Sequence, residues 1–338
     1  LTEIYRRLGQ ELEKELTQLK SLNQTEQLAK VRQSFETFLD QMFQRKAQTV
    51  GSLTWIGTTY YSLAKGSVDD PAESANATKY FNNASATFQE ILNRAKDDPK
   101  FIDPARLPGV RLRLVNCQRS QGNFEEALTM VKEVVSANKQ NLDAQLEANY
   151  VYQDWGASGQ GDSWTHFDTA IKGDKGSGIW GWGQTAIRLQ RLLQRGDQES
   201  KDKYEDKFYE SRYNISLCRI EFGENQTGAK MTESMEKAKN EITSFVAITS
   251  GFSDKWWPKF DELYLRLQKN LGVLSPVALE RPKEFIPVAT PKPEQNPKPS
   301  VKPAAESMLA KKDDGGTGMT YALLGFVAFI GLAGGGFF

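Results

Sequence analysis

Apolar residues recur every three to four positions along residues 1–272, and the strict alternation of a half-buried strand is nearly absent. Leu1, Ile4, Tyr5, Leu8, Leu12, Leu16 and Leu19 form one stripe over residues 1–20. Leu28, Val31, Phe35, Phe38, Leu39 and Phe43 form a second over residues 26–46. Two adjacent amphipathic segments predict an antiparallel helical hairpin over residues 1–49, with its charged faces in water. A further hairpin is predicted from residues 204–222 and 226–249, turning at Gly223. The fold class is all-α.

The pattern changes after residue 272. Eight of the 13 prolines fall between residues 273 and 318, and residues 287–303 read PVATPKPEQNPKPSVKP. Proline fixes φ and lacks a donor, so this stretch is neither helix nor central strand and reads as extended polyproline II. Its 46 residues could reach on the order of 140 Å. The Lys-Pro spacing resembles the periplasmic spacers of TonB-type proteins, which favours an extracytoplasmic helical domain. Residues 319–338 carry no charge. As a helix rising 1.5 Å per residue, these 20 residues would match a hydrocarbon core of roughly 30 Å. They are expected to be a transmembrane helix that partners the lipid bilayer. Gly331 and Gly335 form a small-xxx-small pair through which two spans could self-associate. The chain opens on Leu1 and closes inside an apolar run, so a truncation at one or both ends is expected.

Internal periods then decide the architecture of residues 50–272. Gly122 and Gly156 stand 34 residues apart. Gly122-Asn-Phe124-Glu-Glu-Ala127 reads as a turn opening a helix, with Leu114 in the helix before it. Tyr152, Gly156 and Ala170 repeat that order after a Gly/Ser insertion around 157–163. Upstream, Ile56-Gly57-Thr-Thr-Tyr60 and Ala84-x-x-x-Phe88 read as facing elements of another helical pair. These elements resemble the tetratricopeptide repeat (TPR) family over residues 50–250. In that alignment Gly156 takes the place of the turn glycine. The resemblance implies a TPR-like α-solenoid of helical hairpins, with small residues (Gly57, Ala84, Ala127, Ala148, Ala170) at close approaches. Tyr60, Phe88, Leu114 and Phe124 would fill the spaces between them. It also implies protein–protein interaction. Lys139 replaces the family's terminal proline, and residues 176–204 leave the register.

Composition removes several function classes. Lys and Arg total 43 and Asp and Glu total 43, so no net basic face points to nucleic acid. One His and two Cys do not make a zinc site, and neither a metal nor a cofactor is expected. Gly176-Ser-Gly-Ile-Trp-Gly181 matches G-x-G-x-x-G literally, but no apolar strand precedes it, so a hairpin turn is the plainer reading. His166 has no Ser or Cys nucleophile motif, and no Walker loop, H-E-x-x-H, G-x-S-x-G or C-x-x-C occurs. Catalysis is not expected. Cys117 and Cys218 hold equivalent places five residues before Gly122 and Gly223 and read as small buried hydrophobes.

The reading is a membrane-anchored scaffold that binds a protein or peptide on one face of its repeats. Tyr152, Trp155, Trp180, Trp182 and Trp256 are the candidate partner contacts, because aromatic anchors dominate binding surfaces. Core or capping roles are the plainer reading of Trp180, Trp182, Trp256 and Trp257. Alternatives are a glycan or small-molecule binder using the Trp-rich regions, a stalk of a lost enzyme domain, and a structural subunit of an envelope complex.

Overall fold

A computed structural model describes residues 24–45, 48–68, 74–249 and 251–281, with a few isolated positions before residue 23. The described helices belong to one compact unit, Leu1–Phe285. Most of the first predicted helix, the proline-rich stretch 287–303 and the apolar segment 319–338 lie outside the described residues. No described helix is long and apolar enough to cross a membrane.

The described chain is all-helical. α1 (Thr25–Phe43), α2 (Val50–Val68) and α3 (Ser74–Asp97) are followed by a single 3₁₀ turn at Pro104–Arg106. Then come α4 (Leu107–Ser120), α5 (Phe124–Ala137), α6 (Leu142–Ala157) and α7 (Ser163–Lys172). α8 (Gly181–Arg195), α9 (Gln198–Glu224), α10 (Gly228–Ile248) and α11 (Trp257–Asn270) complete the order. A lone bridge between Asp174 and Ile179 is the extended pairing among the described residues.

Local chemistry sets the helix ends. Asn141, Asp162 and Asp197 cap α6, α7 and α9 by accepting from the amides of Ala144, Trp164 and Ser200. Pro108 and Pro258 stand in the first turns of α4 and α11, where an amide has no partner to lose. Gly122 (φ 78°) stops α4 and Gly173 (φ 85°) stops α7 in the left-handed region.

Helices touch mainly their first and second neighbours along the chain. Three apolar cores follow one another. Phe35, Leu39, Leu53, Ile56, Phe81, Phe88 and Leu114 build the first from α1–α4. Val131, Ala148, Val151, Phe167, Trp182 and Ile215 build the second from α5–α9. Ile220, Met235, Ile242, Phe245, Phe260 and Leu267 build the third from α9–α11. Met130 borders the first two cores and Leu142 the last two, so the apolar interior is continuous.

Three hairpins share a packing device. Gly57 on α2 meets Phe88 on α3, Gly156 on α6 meets Phe167 on α7, and Gly223 on α9 meets Met235 on α10. In each case a Cβ on the glycine would lie 2.8 Å from the facing side chain. This corrects two placements. Gly156 is not a turn residue but sits in the last turn of α6, and Gly223 sits inside α9. The turn after α6 needs positive φ, which Gly159 (72°) and Gly161 (69°) supply. Residues 273–281, expected to open the linker, lie against α11. The Gln268 side chain donates to the Val277 carbonyl (2.7 Å) and accepts from the Val277 amide (3.0 Å). Asp261 accepts from the Leu279 amide (2.7 Å), and Arg281 bonds Asp254 (2.7 Å).

Candidate functional site

Four of the five aromatic residues expected to meet a partner are buried. Tyr152 is 7 % exposed, Trp180 8 %, Trp182 0 % and Trp256 5 %. Their polar atoms are used inside the protein. The Trp182 indole N–H donates to Gln153 Oε1 (2.8 Å), and that of Trp256 to Asp206 Oδ1 (2.8 Å). The Trp180 amide donates to Gln145 Oε1 (2.9 Å), and Arg188 lies 4.0 Å over its ring. Tyr152 faces Asp174. Trp155 is half-buried, stacked between Phe124 (5.9 Å) and His166 (4.1 Å). The contact role is therefore corrected to a core role for Tyr152, Trp180, Trp182 and Trp256, because helix crossings close over their faces. Trp257, next to buried Trp256, is partly buried with Arg281 4.9 Å over its ring.

The residues expected to set repeat packing lie in the interior. Tyr60, Ala84, Phe88, Leu114, Phe124, Ala127 and Ala170 are buried side chains. Gly57 and Gly156 are buried at crossings, and Gly122 turns the chain between α4 and α5. The Tyr60 hydroxyl also donates to Asp40.

Sequence reasoning missed a polar seam centred on α6, which touches α4, α5, α7, α8 and α9. Arg119 on α4 donates from Nε to Glu147 (2.8 Å), from Nη1 to Asp154 and from Nη2 to Asn116 (3.2 Å). Its guanidinium also lies 5.2 Å over the Tyr150 ring. Tyr150 donates to Glu210 on α9 (2.5 Å), and Asn149 donates to Thr185 on α8 (3.2 Å). Burial works against the charge on Arg119, but Glu147 and Asp154 outweigh it and hold it protonated. Burial pushes Glu147 up while Arg119 pulls it back. Farther along α9, burial lifts Glu221 to about 7; Arg266 lowers it, and Asp154 and Glu224 raise it. Glu221 Oε2 is buried with no hydrogen-bond partner. The signal for the seam was the density of polar residues on α6 (Gln145, Glu147, Asn149, Gln153, Asp154), which its weak helical asymmetry disguised.

A separate cleft of about 610 Å³ opens between the start of α7, the end of α9 and the first half of α10. Trp164, 44 % exposed, lies on Phe222 with ring centroids 4.6 Å apart. Arg219, Lys230 and Lys237 bring positive charge to its wall, and Asp162 and Glu233 bring negative charge.

The motifs that suggested chemistry are accounted for structurally. In residues 176–181 the amides of Gly176 and Ser177 donate to the Asp174 carboxylate. Those of Gly178 and Ile179 donate to its carbonyl, and that of Trp180 to Gln145. The amides of residues 176–180 are thus all used inside the protein. Cys117 and Cys218 are free and buried, and burial raises both thiols, Cys117 to about 12, far from the thiolate a nucleophile needs. Burial lowers His166, which lies against Trp155. Among the described residues no group of three or more His, Cys, Asp or Glu could hold a metal ion. Comparison of the chain with protein-family models, with curated proteins and with solved structures finds no match.

Proposed function

We propose that this chain is a membrane-anchored, TPR-like scaffold whose stacked hairpins bind a protein or peptide, without catalysis. The observation that supports the reading is the order of the helices. They touch their chain neighbours, and one apolar interior passes from core to core through Met130 and Leu142. A solenoid needs that nearest-neighbour order, because a single hairpin cannot bury its own apolar face. The glycine crossings at Gly57, Gly156 and Gly223 fit a repeated unit. Residues 319–338 would cross the bilayer, and the proline-rich stretch would hold the helical domain away from it. Of the tryptophans behind the glycan alternative, Trp180, Trp182 and Trp256 are buried and Trp257 is partly buried.

The polar seam supplies the pre-organised groups such a scaffold binds with, held on rigid helices at low entropic cost. Asp154 keeps part of its surface open (39 %) beside Arg119, and Glu210 stands at the same seam on α9. The test is affinity capture of the tagged full chain from detergent-solubilised membranes, beside an Asp154→Ala/Glu210→Ala variant. A stoichiometric partner lost in the variant is the expected result. No specific partner with either bait overturns the reading.

A further inference from the structure

We infer that the cleft between α7, α9 and α10 is a binding site for an acidic peptide segment carrying an aromatic side chain. The assignment rests on the reading of this chain as a binding scaffold and names the chemistry of one partner. It uses residues outside the polar seam.

The first observation is a charge imbalance within a formed cavity. Asp162 has its carboxylate occupied: Oδ1 accepts from the Trp164 amide (3.1 Å) and Oδ2 from the Thr165 hydroxyl (2.7 Å). Glu233 is paired with Lys237 at 2.5 Å. Arg219 has only a long ion pair. Its Nε is buried without an acceptor, and its nearest carboxylate, Glu241, stands 3.8 Å from Nη2 and is shared with Arg212 at 3.7 Å. Lys230 is exposed and makes no ion pair among the described residues. The lining's three cations thus exceed its two carboxylates by one, with Lys230 outside any ion pair among the described residues and Arg219 held only at 3.8 Å, and a guanidinium takes a carboxylate through two parallel N–H groups.

The second observation is independent of charge. Trp164 stands at the first turn of α7 with nearly half its surface in water, although Phe222 beneath it is buried. An indole braced by a buried ring, here tilted 52° to it, keeps its outer face positioned to meet an aromatic side chain. The cleft, about 610 Å³, lies within the size range of ligand sites and suits two adjacent side chains. Ring and cations line the same cavity, so one short segment can use both.

The experiment measures fluorescence anisotropy of labelled, end-capped peptides with the purified full chain in detergent. The probe is Gly-Asp-Phe-Glu-Gly, compared with Gly-Asn-Phe-Gln-Gly and Gly-Asp-Gly-Glu-Gly. The first peptide should bind, weaken as salt rises, and exceed the other two by about tenfold or more. Lys230→Glu and Trp164→Ala should each reduce binding about tenfold with helical circular dichroism retained; Lys230→Glu, at an exposed side chain, should leave the melting temperature in place, whereas Trp164→Ala uncovers Phe222 and lowers it somewhat. Equal binding of the neutral peptide, no binding of any peptide, or unchanged binding by both variants would overturn the assignment. Failure here with a partner still captured by the full chain sinks this site alone. Failure of capture with the peptide bound sinks the wider scaffold reading instead.

Discussion

Glu221 carries the clearest cost at the level of single residues. Burial lifts its carboxyl to about 7, and Oε2 has no donor. Between the ordinary carboxylate range and pH 7, the folded chain keeps a proton that the unfolded chain releases. Stability is therefore greatest in acid from this group and is lost as pH rises through about 7. Glu221→Gln should flatten that dependence. The variant is expected to melt higher than the parent at pH 8, by up to about 3 kcal/mol, and to match it near pH 5. Arg119 presents the opposite case. Removing it leaves Glu147 buried at 9 % exposure with no countercharge. Arg119→Ala should cost about 3–5 kcal/mol, whereas Arg119→Met/Glu147→Leu should recover most of it. Melting of the two variants side by side checks this.

At the scale of helices, the glycines separate by what faces them. Gly156 has Phe167 Cγ 2.8 Å from where a Cβ would stand. Gly156→Ala should push α6 from α7 and cost roughly 1–3 kcal/mol. Gly66 is exposed inside α2, with nothing within 4 Å of its Cβ position. Gly66→Ala should stabilise by about 0.5–1 kcal/mol, because alanine loses less freedom in a helix. The opposite signs of two identical substitutions, read by thermal melting, test whether the crossing rather than the residue type matters. The end of α11 shows another device of this scale. Gln268 pairs with both backbone groups of Val277, so the chain runs back along α11 instead of leaving it at Asn270. Nothing in the local pattern of residues 273–281 announces this, because the partner is a single amide nine positions upstream.

For the whole molecule, the described helices form one unit ending at Phe285, with three cores joined in series. Truncation after Arg281 keeps the α11 contacts and removes the proline-rich stretch and the apolar segment. On the membrane-anchor proposal, the full chain should stay in the pellet after alkaline carbonate extraction, and the truncated chain should appear in the supernatant with the cooperative melting of its helical domain retained. Equal partition of both would overturn the anchor.

The sequence by itself determined the helical class and the turn at Gly122 between two helices. Those properties follow from spacing within one or two helical turns, which any chain segment displays locally. It also placed Gly57 and Phe88 on two successive helices, and the structure alone brings them into contact. Tertiary structure decided between the core and contact readings of Trp180, Trp182 and Trp256, and alone decided the use of Gly156 as a crossing and the polar seam on α6. Each depends on how many helices surround a position. α6 is enclosed by five, so its polar side chains are buried, and helical periodicity cannot distinguish that from a solvated face. The cleft beside Trp164 is of the same kind: the start of α7 meets the α9–α10 hairpin, and only that meeting leaves Arg219 Nε buried without an acceptor.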